Sequence, residues 1–453
     1  MSNFFEKFHQ LNHEYQELFR QRRVIMSYEN FLELLRQKPT SLIRNASVYI
    51  KNCIEHFGAQ PIQENGESLV RHKIYDIGTF KYGSIIGGER YQNKIFKVIE
   101  TFSRQGYSNK LIVLHGPNGS AKTSTVEAIA RAMQLYSETE QGAVYRFNWI
   151  FPLEQSPDMR RKGETGPIGF STKRLMEEDL TNEPSFAMLE EAQIASRIPS
   201  EYKENPIYLI PMPYREKWLK EWMAVEKGIA PEEVVLPPHA YLSGLSKRNQ
   251  LIFETLLNAY DGNIGKVFRH VQVERFFYSY QYRVGIASVE PQMVVDAGEK
   301  QLTLDQNIAN MPSVLHNINF HEASGQLVDA NRGILEFSDM LKRPVEALKY
   351  LLSTIEKSTI NLPSGTSHLD LVFFATTNEK HLDAFKASPD FTAFSGRFSL
   401  ITVPYLLNVK KEEQIYKKDI EALSQTTAIA PHSLELLCLW AVMTRLKQPD
   451  VER

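Results

Sequence analysis

One stretch decides the fold of this chain: Leu111-Ile112-Val113-Leu114-His115-Gly116-Pro117-Asn118-Gly119-Ser120-Ala121-Lys122-Thr123. Its first five residues have the length and apolarity of a buried parallel strand. After the glycine-containing turn, apolar residues recur at helical spacing from Val126 to Met133. A strand, a glycine turn and a helix in this order are typical of a phosphate-binding βα unit.

The turn matches the P-loop template G-x-x-x-x-G-K-[ST] at Gly116, Lys122 and Thr123, with Ala121 in place of the last glycine. Lys122 would reach the β- and γ-phosphates of ATP, and the Thr123 hydroxyl would bind Mg²⁺. We expect Ala121 to open the helix in a right-handed conformation, which suits alanine as well as glycine. The alternative is an ordinary strand-to-helix turn with a solvated lysine. The expected ATP-binding residues are Gly116, Pro117, Asn118, Gly119, Ser120, Ala121, Lys122, Thr123 and Ser124.

Four further apolar runs have the length of buried strands: Val144–Ile150, Gly333–Phe337, Leu371–Thr376 and Leu400–Pro404. Together with the strand before the P-loop they predict an α/β fold with a five-stranded parallel sheet flanked by helices. We expect a helical N-terminal segment with a linker over residues 1–82 and a P-loop core over 83–403. A proline-punctuated insertion at about 155–325 would separate strands 2 and 3, and a partial helical lid would occupy 404–453.

The run that ends in Glu336-Phe337-Ser338-Asp339 is the candidate source of catalytic carboxylates. It resembles the acid-bearing strand of AAA+ ATPases, but a serine stands at the first acid position. Because side chains alternate along a strand, Glu336 shares a face with position 338. We therefore expect Glu336, with Thr123, to hold the metal and Asp339 to face the attacking water. The alternative is a buried strand with one structural acid.

Two later residues complete the catalytic set in the order that AAA+ proteins use. Asn378 ends an apolar strand and would orient water near the γ-phosphate. Arg397 follows at the spacing of an arginine finger, which reaches the nucleotide of a neighbouring subunit. Either residue also has an ordinary interpretation, as a turn cap or as a solvated arginine.

From about residue 25 to its end the chain resembles the PrkA-type serine protein kinases, which have an AAA+ core. The resemblance rests on the P-loop and on four further stretches: Asn205–Pro211, Val273–Phe277 with Tyr282–Gly285, Glu336–Pro344, and Val403–Leu406. It implies ATP and Mg²⁺ as cofactors, a protein substrate, and a homo-oligomer such as a hexameric ring. Family members continue into a further C-terminal domain, so we expect this chain to be a fragment or a truncated member.

Two other functions stay open. The chain could be an AAA+ motor that remodels or degrades proteins and transfers phosphoryl to water, or a nucleotide-switched scaffold with little turnover.

Composition and apolar patterning limit the partners and the compartment that we expect for this chain. Lys and Arg total 52 against 54 Asp and Glu, a net charge of −2, which argues against bulk binding of nucleic acid. The most apolar run, at 369–376, is far too short to cross a membrane. Two cysteines and the lack of a secretory signal pattern predict a cytoplasmic protein.

Overall fold

The structure is a computed structural model, and it describes residues 2–446 except 65, 82, 154–183, 292–296, 302–320, 364 and 426–427. Parts of the expected insertion therefore lie outside the described residues. No helix in the described part of the chain is long and apolar enough to cross a bilayer.

The helices, in chain order, are α1 (Ser2–Arg22), α2 (Tyr28–Gln37), α3 (Pro39–Leu42), α4 (Ala46–Phe57), α5 (Ile74–Ile77), α6 (Glu89–Gln105), α7 (Lys122–Glu138), α8 (Tyr214–Lys227), α9 (Pro238–Leu242), α10 (Lys247–Ala259), α11 (Ile264–Phe268), α12 (Gln326–Ala330), α13 (Tyr350–Lys357), α14 (Glu379–Lys386), α15 (Phe391–Ser395), α16 (Val409–Ser424) and α17 (Ser433–Thr444). The strands are β1 (Ile25–Ser27), β2 (Ala59–Glu64), β3 (Glu67–His72), β4 (Leu111–His115), β5 (Val144–Pro152), β6 (Ile194–Pro199), β7 (Val271–Phe276), β8 (Ile286–Val289), β9 (Gly298–Gln301), β10 (His321–Ser324), β11 (Gly333–Phe337), β12 (Thr359–Leu362), β13 (Gly365–His368), β14 (Leu371–Thr377) and β15 (Phe398–Thr402).

The central sheet has five parallel strands in the order β15-β4-β14-β11-β8. The expected α/β class and five-stranded parallel sheet are thereby confirmed. Because every strand runs the same way, the segments that follow β4, β11 and β14 emerge at one edge, where ligands of such sheets bind. We call this the carboxyl edge of the sheet and the opposite one the amino edge.

One expected member of this sheet is wrong. Val144–Ile150 lies in β5, which belongs to a second, antiparallel sheet of order β1-β7-β5-β6. Ile286–Val289 takes its place as the second strand of the central sheet along the chain. Three strands of the second sheet, β5, β6 and β7, therefore lie in sequence between central strands 1 and 2, not 2 and 3, whereas β1 precedes the central sheet. Both runs are apolar and almost wholly buried, so periodicity alone could not assign either to its sheet.

The two faces of the central sheet bury alternate residues of each strand. Ile112 and Leu114 pack with α4, α6 and α7, whereas Leu111 and Val113 pack with α12, α13, α14 and α15. The core is thus a three-layer α/β/α arrangement. This packing fixes the direction of α7, which carries the P-loop at its start.

The N-terminal segment is not one helical unit. Helix α4 begins after Asn45, whose side chain accepts a hydrogen bond from Val48 N at 2.9 Å, and packs in the same apolar cluster as α7. Helix α2 packs instead with the second sheet. The stretch after α4, expected as a linker, forms the β2–β3 hairpin. The domain boundaries remain a prediction.

Helices α16 and α17 lie in the stretch expected as the lid, and we refer to the pair by that name; charged side chains join the two helices to each other and to the core. Arg445 on the segment after α17 donates two hydrogen bonds to the buried Glu412, at 2.7 and 2.8 Å. Lys411 donates to Glu64 on the hairpin at 2.5 Å and to Glu89 on α6 at 2.9 Å. A single ammonium therefore joins the lid to two elements of the core.

Candidate nucleotide site

The loop between β4 and α7 has the conformation of a phosphate-binding turn. Gly119 lies at φ +81°, in the left-handed region that glycine adopts without strain. Gly116 packs so closely that a Cβ there would lie 2.1 Å from the Val403 carbonyl oxygen. The loop can therefore keep its path only with glycine at position 116.

The expectation for Ala121 is wrong. Ala121 precedes α7 at φ +66° and ψ +26°, a left-handed conformation. An L-residue other than glycine pays roughly 1–2 kcal/mol there. The glycine of the P-loop template would adopt this conformation freely. The alanine backbone is therefore slightly strained at the position that precedes α7.

Lys122 is folded into its own loop. Its Nζ donates hydrogen bonds to the carbonyl oxygens of Gly116 at 3.0 Å and Pro117 at 2.7 Å, and the residue is 8% exposed. Burial lowers the pKa of this ammonium, while the carboxylates of Asp339 and Glu379 act in the opposite direction. Two acids thus lie within electrostatic reach of the P-loop lysine.

The start of α7 offers unfilled donors to an anion. The helix has no side-chain cap and no acid in its first turn, so the first backbone N–H groups have no helical partner. Ser120 Oγ is buried and lacks a hydrogen-bond partner within the described residues, and Thr123 is exposed. A helix N-terminus of this kind favours phosphate. We call residues 116–124 the phosphate cradle; its free donors fit the phosphates of a nucleotide.

Asp339 lies at the carboxyl edge, in the turn after β11. Its backbone N–H donates to Thr376 Oγ1 at 3.1 Å, and its Oδ2 accepts from Lys342 at 2.5 Å. The first contact fixes the turn against β14, and the Asp339 side chain is 37% exposed. Asp339 also lies within electrostatic reach of Lys122, and its role as the water-facing acid stays a prediction.

Glu336 lies deeper, three residues before Asp339. It is 3% exposed, and its Oε1 has no hydrogen-bond partner among the described residues. Burial, together with the negative charges of Glu127 on α7 and Glu290 after β8, raises its pKa to about 8. These neighbours, not Lys122, surround it. Its assignment with Thr123 as a metal ligand stays a prediction.

The side chains at this edge supply only part of a magnesium coordination shell. No group of three histidine, cysteine, aspartate or glutamate side chains among the described residues could hold a metal ion on its own. Mg²⁺ typically uses one or two protein oxygens together with substrate phosphates. Thr123 and one carboxylate would satisfy that requirement.

Asn378 caps a helix, as its ordinary interpretation proposed. Its Oδ1 accepts a hydrogen bond from His381 N at 3.0 Å at the start of α14. The side-chain NH₂ makes no hydrogen bond within the described residues, so it remains available to a water or a phosphate oxygen. The cap holds the amide in place at the end of β14.

Two residues of this edge escaped the sequence reasoning. Glu379, next to Asn378, is the acid whose charge reaches both Lys122 and His115. His115 ends β4 and shares a hydrogen bond with Thr402 Oγ1 at 3.0 Å, and its buried Nδ1 has no hydrogen-bond partner among the described residues. The sequence signal that would have identified Glu379 is its position directly after Asn378, the asparagine that ends the strand.

Arg397 is not brought to this site. It precedes β15 at the amino edge and donates to the Leu352 and Ala393 carbonyls, at 3.1 and 2.8 Å, and to Glu356. Five residues of β15 separate it from the level of His115, about 16 Å of strand. Its side chain cannot reach the phosphate cradle of its own chain.

We next compared the chain with known protein families and proteins. The sequence model of the PrkA AAA domain matches residues 192–452, more than half of the chain. The chain belongs to the PrkA AAA domain family. The matched stretch contains Asp339, Asn378 and Arg397, and the phosphate cradle precedes it.

Curated relatives of the family extend the similarity upstream. The ATP-dependent protease PrkA of Bacillus subtilis (strain 168) is 24% identical over 93% of this chain and 55% of its own length. The serine/threonine kinase YeaG of Escherichia coli (strain K12) is 31% identical over 43% of this chain and 30% of its own length. The chain thus spans about half, or less, of the curated relatives it matches.

A solved structure of NtrX from Brucella abortus in complex with ADP covers 81% of this chain and 53% of its own, with 11% identity and a TM-score of 0.29.

Proposed function

We propose that the chain binds Mg·ATP in the phosphate cradle and transfers the γ-phosphate to a protein serine, as a PrkA-type serine protein kinase built on an AAA+ core. The observation that carries the nucleotide part is the set of free donors at the start of α7: the unpaired Ser120 hydroxyl and the uncapped first turn. A buried hydroxyl without a partner is costly unless a ligand satisfies it.

Each residue has a distinct task in this proposal. Lys122 exchanges its two carbonyl partners for phosphate oxygens and compensates their charge. Asp339 accepts the proton of the attacking hydroxyl, while Asn378 orients that hydroxyl through its free NH₂ group. A magnesium ion held by Thr123 and Glu336 would neutralise charge that develops on the phosphates.

The acceptor of the phosphate is the finer part of the proposal, and relatives differ on it. YeaG is named a serine/threonine kinase, whereas the Bacillus subtilis relative, which aligns with 93% of the chain, is named an ATP-dependent protease. The second candidate is therefore an AAA+ motor that transfers phosphoryl to water and couples hydrolysis to protein remodelling or degradation.

We further propose that the active form is a homo-oligomeric ring, such as a hexamer. Arg397 lies at the opposite edge of the sheet from the phosphate cradle. An arginine finger at that position completes a site only across a head-to-tail interface, which closes by rotation into a ring.

Transfer of γ-³²P from ATP separates the candidates. We would incubate the chain with labelled ATP, Mg²⁺ and casein as a generic serine acceptor, and then measure label on phosphoserine and as free phosphate. Label on serine of casein or of the chain itself supports the kinase. Release of phosphate without labelled serine overturns it in favour of the motor, and label retained on ATP overturns both.

Lys122→Ala tests the nucleotide part independently. The loss of one charge-assisted contact to phosphate should weaken ATP binding about 10- to 100-fold, measured by calorimetry. Lys386→Ala is the matched control, because Lys386 is a lysine of the same edge whose ammonium pairs with the exposed Asp383. Wild-type affinity in Lys122→Ala would refute the phosphate cradle.

A further inference from the structure

A second cavity lies at the amino edge of the central sheet, away from the phosphate cradle. Its volume is about 420 Å³, within the range of small-molecule sites. Its wall combines residues that precede β11 and β14, Arg332 and Asp370, with residues from the stretch between β6 and β7, among them Tyr202 and His239. Cavities between two packed units are frequent binding sites.

Arg332 supplies positive charge to this cavity. The residue is 7% exposed and is held at φ +70° next to Gly333. Its Nη1 donates to the carbonyl oxygens of Tyr145 and Lys203. Nε and Nη2 have no hydrogen-bond partner among the described residues, although guanidinium nitrogens are obligate donors. A buried guanidinium with two free donor atoms points to an anionic group of a ligand.

Asp370 and His239 supply acceptors on the same wall. Among the described residues, both oxygens of Asp370 accept only the Ala46 N–H, at 2.9 and 3.0 Å, whereas a carboxylate offers about four acceptor positions. His239 Nε2 lies 2.5 Å from the Ile43 carbonyl oxygen and must donate to it. Nδ1, the other ring nitrogen, is buried and has no hydrogen-bond partner within the described structure, and it is an acceptor whenever the ring carries its single proton on Nε2.

The opposite charges on this wall interact without a hydrogen bond among the described residues: burial raises the pKa of the Asp370 carboxyl, and His239 and Arg332 act in the opposite direction. Asp370 and Arg332 form no ion pair among the described residues, although each lines the cavity. The free acceptors and the free donors therefore call for a ligand that carries both a cationic N–H group and an anionic oxygen group.

Tyrosine rings make up much of the remaining wall. Tyr202 and Tyr208 direct their hydroxyl groups to Ser367 and Ser243, so their polar ends have partners within the chain. Their rings, with those of Tyr107 and Tyr241, line the cavity. Aromatic walls of this kind suit a flat apolar group.

We propose that this cavity binds a small zwitterion of amino-acid type with an apolar or aromatic side chain. Its carboxylate would lie on Arg332, its ammonium on Asp370 and His239, and its side chain between the tyrosines. A phosphorylated ligand is disfavoured, because Glu204, Glu356 and Asp370 all line the cavity. The proposal is independent of nucleotide binding.

Calorimetry with three compounds of similar shape tests the proposed ligand class. The compounds are L-phenylalanine, 3-phenylpropionate, which lacks the ammonium group, and phenethylamine, which lacks the carboxylate. We expect L-phenylalanine to bind and each analogue to bind at least about 10-fold more weakly, since each lacks one set of charge-assisted hydrogen bonds. Equal affinity for all three, or no binding of any L-amino acid at millimolar concentration, would overturn the proposal.

Two variants locate the binding. A Cβ at Gly244 meets no atom within 4 Å, and Gly244 lines the cavity, so Gly244→Trp should fill it and abolish binding without loss of stability. Gly83→Trp is the matched control at an equally open glycine outside the cavity. Asp370→Asn should remove the preference for L-phenylalanine over 3-phenylpropionate. Unchanged binding in Gly244→Trp would place the ligand elsewhere and refute the site.

Discussion

The two edges of the central sheet are built in different ways. At the carboxyl edge, Lys122 donates its hydrogen bonds to Gly116 and Pro117, six and five residues away. At the amino edge, Asp370 accepts from Ala46, 324 residues away in the chain. The first edge is a local turn that a short motif encodes, whereas the second exists only after the whole chain has packed.

This difference decides how each edge responds to a mutation. A substitution in the phosphate cradle should change ligand binding or rate and leave the fold intact. A substitution at the amino edge should act on a second copy of the chain, on the cavity at that edge, or on the packing between the two sheets. Four measurements test this contrast.

Arg397→Ala carries the largest expected effect. ATP affinity should stay unchanged and turnover should fall about 10³-fold, the scale of an arginine finger, because the residue cannot reach its own phosphate cradle. Mixing with Lys122→Ala chains should restore part of the activity, measured as phosphate release. If Arg397 serves only its contacts with Leu352, Ala393 and Glu356, stability drops slightly and turnover does not change. Activity of a strict monomer that is independent of concentration would exclude action in trans.

Asp339→Asn should leave ATP binding intact and slow phosphoryl transfer about 10²-fold, because the general base is lost. Glu336→Gln is its paired comparison and should instead weaken the Mg²⁺-dependent part of ATP binding. Single-turnover kinetics with separate binding titrations distinguishes the two. If Asp339→Asn turns over normally while Glu336→Gln binds without turnover, the roles of the two acids are reversed.

Glu336 should also make stability depend on pH in the absence of Mg²⁺. Burial raises its pKa in the folded chain from 4.5 to about 8, so the folded state holds the proton more tightly than the unfolded state. Its contribution to stability is complete below pH 4.5 and is lost as the pH rises through 8. Urea unfolding should show Glu336→Gln, relative to wild type, more stable at pH 8.5 than at pH 4.5, by on the order of 2 kcal/mol. A pH-independent difference would contradict this.

Ala121→Gly has the smallest effect, and its sign is informative. Relief of the left-handed alanine should outweigh the extra entropy of glycine in the unfolded chain, so the variant should gain about 0.5–1 kcal/mol in urea unfolding. Ala128→Gly, at a buried position within α7, is the control and should lose stability. A loss in Ala121→Gly as well would mean that Ala121 is right-handed in solution.

The same contrast explains what could be predicted from the sequence. Leu111–His115, Gly333–Phe337 and the strand that ends before Asn378 were identifiable because each is a short apolar run followed by a chemically distinctive residue. Val144–Ile150 was assigned to the wrong sheet. An apolar run indicates that a strand is buried, but it does not indicate which strands this strand pairs with. Ile286–Val289, only four residues long, has no distinctive neighbour.

Within the site, residue identity was predictable and conformation was not. The template located Lys122 and Thr123, but nothing in the sequence shows that Ala121 would adopt a left-handed conformation. Glu379 and the amino-edge cavity depend on which helix ends and strand ends meet. That information is long-range, since it links residues such as Tyr202, His239 and Asp370 through the packing of the two sheets.

Lys411 gives the lid a property that neither of its helices has alone. One ammonium holds Glu64 on the hairpin and Glu89 on α6, and Glu89 is also held by Arg71 at 2.8 Å. A shift of the lid separates the ammonium from both carboxylates together, while Glu89 keeps its remaining partner. Lys411 therefore couples the lid to the hairpin and to α6 at once, whereas Arg71 on the hairpin keeps these two core elements joined to each other through Glu89 whatever the position of the lid.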